Sequence, residues 1–258
     1  MTLFNQGNVT YATGRLLSLV SKPLVLLAVN NFYASDSAPL LAAVFLFSAI
    51  CLAFSGVDAH RAYYLEQFSS SLSKKIGLFF YKYVASVVVL SISFSLIFAI
   101  LFSVKSGLSF LSIMVFVFII SEKLADECLR YRIYDQKFSD WGRLSINRAL
   151  LQCGLIGLSI IIMETSTVTP LVFCLALGNF ITFGRGIPLA AYRVISWRGI
   201  RRKRFLPNVL KTLWNLKLLW CLAALAAVFA NLDRILIYLF ESKELGLFYI
   251  IVAGTSLI

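Results

Sequence analysis

From Val84 to Phe102 the chain runs without a charged residue, apolar on every helical face and interrupted only by serine. A run of this kind is the length an α-helix needs to cross a hydrocarbon core, about 20 residues at 1.5 Å each. Seven further stretches are predominantly apolar, so that the predicted spans are 13–33, 38–56, 78–103, 107–122, 148–164, 168–189, 213–239 and 244–258. Each backbone amide in a bilayer needs a partner within its own segment, which leaves helices or a closed barrel. A barrel would show short alternating segments; these runs do not alternate. The chain is 60% hydrophobic with a mean hydropathy of +0.86, against roughly 45–50% for a soluble domain. The fold class expected is an all-α polytopic membrane protein.

Charge supports the same reading. The net charge is +12, but the basic residues are not spread as a nucleic-acid surface would need. Most of the 24 lie in three long connections, Val57–Lys82, Glu122–Arg148 and Ala190–Lys217. The connections between these, around Ala34–Ser37, Ser103–Ser106, Thr165–Thr167 and Glu241–Lys243, are short and hold only two basic residues, Lys105 and Lys243. Cytoplasmic loops carry the excess of Lys and Arg. The expected orientation has the N-terminus and long loops in the cytoplasm and the short turns outside, in the inner (cytoplasmic) membrane. No nucleic-acid partner is expected. Residues 122–140 have amphipathic spacing and are expected to continue the fourth span as a helix. The run Arg201-Arg202-Lys203-Arg204 reads first as a topology signal that also attracts anionic headgroups. No basic n-region precedes the first span, so no removable signal segment is expected.

Reactive chemistry is sparse. His60 is the only histidine, and the chain carries no G-x-S-x-G, H-E-x-x-H or Walker motif. The five cysteines, Cys51, Cys128, Cys153, Cys174 and Cys221, form no C-x-x-C pair, so neither zinc nor a disulfide framework is expected. No aspartate pair has the spacing that holds a metal and a diphosphate. The expectation is a protein that is not an enzyme and has no cofactor and no metal.

What remains is charge within or beside the spans. Such residues are costly in a bilayer and mark polar pathways or pairing. Arg15 and Lys22 fall in the first span, with Pro23 adjacent. Asp58 lies just past the second. Arg185 sits in the sixth between Gly184 and Gly186. Asp233 and Arg234 interrupt the seventh. Arginine offers planar, bidentate geometry to phosphate oxygens. Arg15, Lys22, Arg185 and Arg234 are therefore candidates for binding an anionic substrate, and Asp58 and Asp233 for carrying a coupling ion.

The stretch Asn231-Leu-Asp233-Arg234, followed by a break at Glu241–Glu244 and then Gly246-Leu-Phe-Tyr249, resembles the junction of the seventh and eighth helices in the lipid-linked oligosaccharide (O-antigen/polysaccharide) flippases. These belong to the multidrug/oligosaccharidyl-lipid/polysaccharide exporter superfamily. The spacing of the first six helices is similar too. The resemblance implies flipping of a lipid-diphosphate-linked oligosaccharide to the outer leaflet for cell-surface polysaccharide biosynthesis. It further implies two six-helix lobes working by alternating access, with ion coupling, beside other glycan-assembly membrane proteins. On that template residues 1–212 would form a six-helix N-terminal lobe. Residues 213–258 would supply two helices of an incomplete second lobe, as in a truncated chain. A membrane-embedded glycan transferase or polymerase, and a small-molecule antiporter of the same superfamily, are the alternatives.

Overall fold

The computed structural model describes residues 6–33, 36–56, 89–104, 109–134, 137–162, 167–186, 217–240 and 242–255, with a few isolated positions between them. The described residues contain no strand. Their helices are α1 (Gln6–Phe32), α2 (Ser37–Gly56), α3 (Val89–Val104), α4 (Ser109–Tyr134), α5 (Phe138–Ile162), α6 (Thr169–Gly186), α7 (Lys217–Ala230), α8 (Leu232–Phe240) and α9 (Leu245–Thr255). A single 3-10 turn, Ser242–Glu244, joins the last two. Among the described residues three helical stretches are long and apolar enough to cross a membrane: Asn8–Phe32, Ser37–Ser55 and Phe138–Ile161. Val89–Val104 is apolar but shorter. Asp58, His60 and Arg201–Arg204 lie outside the described residues.

Helix α2 is the hub. Residues 41–48 are all buried, the signature of a helix that is apolar all round and surrounded on every side. Its start is set locally: the Leu40 amide donates to the Asp36 carbonyl (3.3 Å), and Pro39 falls in the first turn, where its missing N–H costs nothing. Phe47 takes Phe98 and Phe102 of α3 on one side and Tyr238 of α8 on the other. Phe45 meets Phe118 of α4. Leu26 and Val29 of α1, Val115 and Ile119 of α4, Leu171 and Val172 of α6 and Leu245 of α9 complete this core.

The longest helix contact is α1 against α5, and two glycines set it. A Cβ on Gly14 would stand 2.7 Å from the Gly142 carbonyl oxygen, and one on Gly142 would overlap the Thr10 carbonyl. The backbones touch, as small residues permit where helices cross. Tyr11 then packs on Phe138 and Trp141 beside the crossing.

Three helices run past their sequence-based limits: α1 begins at Gln6, ahead of the predicted start at 13, and α4 and α5 extend into the connection between their spans. The predicted spans 107–122 and 148–164 leave a connection between them. The structure continues the helix from Ser109 to Tyr134, and after a short turn α5 begins at Phe138. The expected helical continuation of the fourth span is therefore present, with both partners longer than their apolar runs. The predicted seventh span is divided at Asn231. Its amide donates to Val228 O (3.2 Å) instead of the residue four back, while its side-chain amide takes over the Ala227 carbonyl at 2.9 Å.

Candidate functional site: a buried ion cluster between five helices

The bundle buries a set of polar side chains beside its apolar core and exposes large apolar ones. On α5 the buried positions include Ser145, Gln152 and Ser159, while Leu150, Leu158 and Ile161 are exposed. On α1 the exposed residues include Leu16, Leu19, Leu24 and Leu27. Ser145 Oγ and Ser159 Oγ have no hydrogen-bond partner among the described residues; the other polar groups that face in must satisfy one another.

They do so around Glu122, whose side chain is only 4% exposed. Lys22 Nζ of α1 lies 2.6 Å from Glu122 Oε1, and Arg148 Nη2 of α5 reaches the same oxygen at 3.4 Å. The Ser48 hydroxyl of α2 donates to Oε2. Arg148 Nε donates to Asn179 Oδ1 of α6 at 2.8 Å. Gln152 Nε2 donates to the same amide oxygen (2.9 Å) and to the Leu175 carbonyl (3.3 Å). Asn179 Nδ2 in turn donates to Ser121 Oγ at 3.3 Å. Gly178 makes room for this: a Cβ there would stand 2.7 Å from Gln152 Cγ.

Five helices thus meet in one network. Counted along each axis from Phe32, Ser37, Ser109, Ile162 and Thr169, its members lie about 15–21 Å in, at 1.5 Å per residue. That is the middle of the bundle. Lys22, Arg148 and Glu122 together carry one excess positive charge. Lys123, next in sequence, turns away. Its Nζ pairs with Glu127 at 2.7 Å and donates to the Leu52 carbonyl at 3.5 Å.

A second polar group forms where α8 meets α9. Arg234 Nη1 donates to Asn231 Oδ1 at 3.2 Å, and its guanidinium lies 4.7 Å from the Tyr249 ring centroid. Asp233 is exposed, and its Oδ1 accepts from the Arg234 backbone amide at 2.8 Å. Gly246 seats α9 on the start of α2, with Ala38 and Pro39 within 3.3 Å of where a Cβ would be. The motif residues Arg234, Gly246 and Tyr249 therefore share one junction packed on α2.

The sequence-based candidates are distributed unevenly. Lys22 is in the central cluster. Arg234 and Asp233 are in the second group, with Asp233 at its surface. Arg15 and Arg185 are exposed on α1 and at the end of α6, and the structure does not bring either into the cluster. Asp58 is outside the described residues. Glu122, Arg148, Gln152 and Asn179 were not among the candidates, because Glu122 and Arg148 read as the edges of a charged connection. Span length was the available signal: apolar runs of 107–122 and 148–164 are too short to cross alone. Among the described residues no group of three or more His, Cys, Asp or Glu could hold a metal ion.

The chain matches no protein-family model, and comparisons with curated proteins and with solved structures give no match.

Proposed function

We propose that this chain belongs to a membrane transporter that moves a lipid-diphosphate-linked oligosaccharide from the cytoplasmic to the outer leaflet, by alternating access and without bond-making chemistry. The observation that carries the reading is the cluster of Lys22, Glu122 and Arg148 in the middle of the bundle. Ionisable groups at that depth mark substrate and ion pathways, and two cations against one carboxylate favour an anionic substrate. The Asp233-Arg234…Gly246…Tyr249 resemblance supports the substrate class. The basic connections support an orientation with the N-terminus in the cytoplasm of a cell that builds its surface glycan on an inner membrane.

The test separates export from polymerisation. In cells that assemble the glycan, Lys22→Ala should trap the lipid-linked unit on the cytoplasmic leaflet, with the protein still present at its normal abundance. Single units accumulating on the outer face of such cells would overturn this reading and support a polymerase.

A further inference from the structure

Glu122 has more cationic company than a bridge between two helices requires. One of its oxygens receives both Lys22 Nζ and Arg148 Nη2, which is the position a phosphate oxygen would take between an ammonium and a guanidinium. We propose that Lys22 and Arg148 form a binding site for the phosphate groups of an anionic ligand, and that Glu122 occupies this site as an internal substitute until it takes up a proton. The proposal rests on the transport reading for its ligand class, a polyprenyl diphosphate, but its geometry stands apart from that reading.

The two cations are held differently. Arg148 is oriented without help from Glu122, because its Nε is fixed on Asn179, which Gln152 and Ser121 hold in turn. It would keep its place with Glu122 neutral. Lys22 is the movable arm. Its side chain is 35% exposed, its ion partner is Glu122, and its Nζ lies 5.2 Å from the centre of the Phe45 ring. When a proton from water binds the Glu122 carboxylate, an O–H forms and the negative charge is lost. Lys22 and Arg148 keep their protons and are left with two uncompensated positive charges. A diphosphate diester brings two negative ones.

The surroundings leave this role to Glu122. Around it α1 presents Lys22, α2 presents Ser48 and Cys51, α5 presents Arg148 and Gln152, and α6 presents Asn179. On α4 itself Lys123 is committed to Glu127. Among the described residues Tyr249 of α9, stacked under Arg234, also lies within electrostatic reach. Linkage then fixes the sign: a ligand that binds better when Glu122 is protonated must cause proton uptake when it binds.

The experiment measures binding of undecaprenyl diphosphate, and separately of inorganic pyrophosphate, to the full chain in lipid nanodiscs between pH 5 and pH 8. For the wild type, affinity should rise as pH falls. Glu122→Gln should bind at least about tenfold tighter at pH 8, a change of at least roughly 1.4 kcal/mol, and keep only the pH dependence of the probe's own terminal phosphate, which loses a proton near about pH 6. Ser48→Ala keeps every charge but removes a hydrogen bond to the carboxylate, which favours the protonated form, so it should bind the probe more tightly than the wild type across this range. This keeps the test intact if Glu122→Gln does not fold. Lys22→Ala should weaken binding at every pH. Pyrophosphate binding with this pattern, without binding of the lipid, would sustain the site and overturn the flippase reading. Lipid binding that is independent of pH and unchanged in Glu122→Gln and Ser48→Ala would overturn the site and leave that reading standing. No binding of either probe at any pH would overturn both.

Discussion

Lys22 of α1 and Glu122 of α4 make a 2.6 Å ion pair across the interior of the bundle, beside the apolar face of Phe45. Arg148 shares the same carboxylate but is more deeply enclosed, with 16% of its side chain exposed against 35% for Lys22. Removing one member of a buried ion pair costs about 3–5 kcal/mol, whereas replacing the whole set by apolar groups can be neutral. Arg148→Met should therefore cost about 3–5 kcal/mol, because Glu122 and Asn179 both lose a partner. Lys22→Met should cost less, since its side chain is only partly enclosed. Unfolding in mixed micelles measures both, and equal losses would show that the burial difference is not felt.

The Gly14–Gly142 crossing predicts a contrast within one helix. Gly142→Ala places a Cβ against the Thr10 backbone, which cannot yield as a side chain would. Overpacking of this kind costs about 1–3 kcal/mol, and α1 and α5 would have to separate. Gly154, also in α5, has open space where its Cβ would go. Gly154→Ala should be neutral or stabilising by up to about 1 kcal/mol through helix propensity alone. The two variants, compared by melting temperature in the same detergent, should fall on opposite sides of the wild type.

How far the architecture could be read in advance depended on where charge fell. The predicted limits 38–56 and the predicted start at 168 match α2 and α6 closely, because Pro39 and Pro170 mark their first turns and apolar sequence follows. Lys22 was found because it stands well inside an apolar run with Pro23 beside it. Glu122 and Arg148 were missed because each ends an apolar run, and in one dimension an end looks like an interface. Only the three-dimensional packing shows that α4 and α5 continue past these residues, and that the charges which seem to close two spans face each other. The break at Asn231 was equally hidden: nothing in a run of apolar residues shows that an asparagine amide will replace a backbone donor.

Arg234 and Tyr249 allow two kinds of contact to be separated. If the guanidinium over the ring is what holds α8 on α9, the ring matters and the hydroxyl does not. Tyr249→Phe should then be silent in stability, while Tyr249→Leu and Arg234→Lys should each lose about 0.5–2 kcal/mol. Lysine keeps the charge but not the planar face that lies against the ring. A loss in Tyr249→Phe equal to that in Tyr249→Leu would place the interaction in the hydroxyl instead. Arg234→Ala should in addition reduce glycan export at unchanged protein abundance, and a fall in abundance of the same size would reduce Arg234 to a packing role.

The orientation can be tested one turn at a time. The basic residues crowd into the connections at 57–82, 122–148 and 190–217 and avoid the short turns between them, so the short turns should face outward. Single cysteines placed at Ser35, Ser106 and Ser166, in a background lacking the native five, should react with a membrane-impermeant thiol reagent added outside intact cells. A cysteine at Ser139, near the start of α5, should react only after the membrane is opened. The ion cluster lies about 15–21 Å from the short-turn ends of its helices, so the same labelling also gives its depth from the outer face. Outside labelling at Ser139, with protection at Ser35 and Ser106, would invert the topology. The substrate would then have to reach Lys22 from the opposite leaflet, and export from the cytoplasmic side would no longer follow.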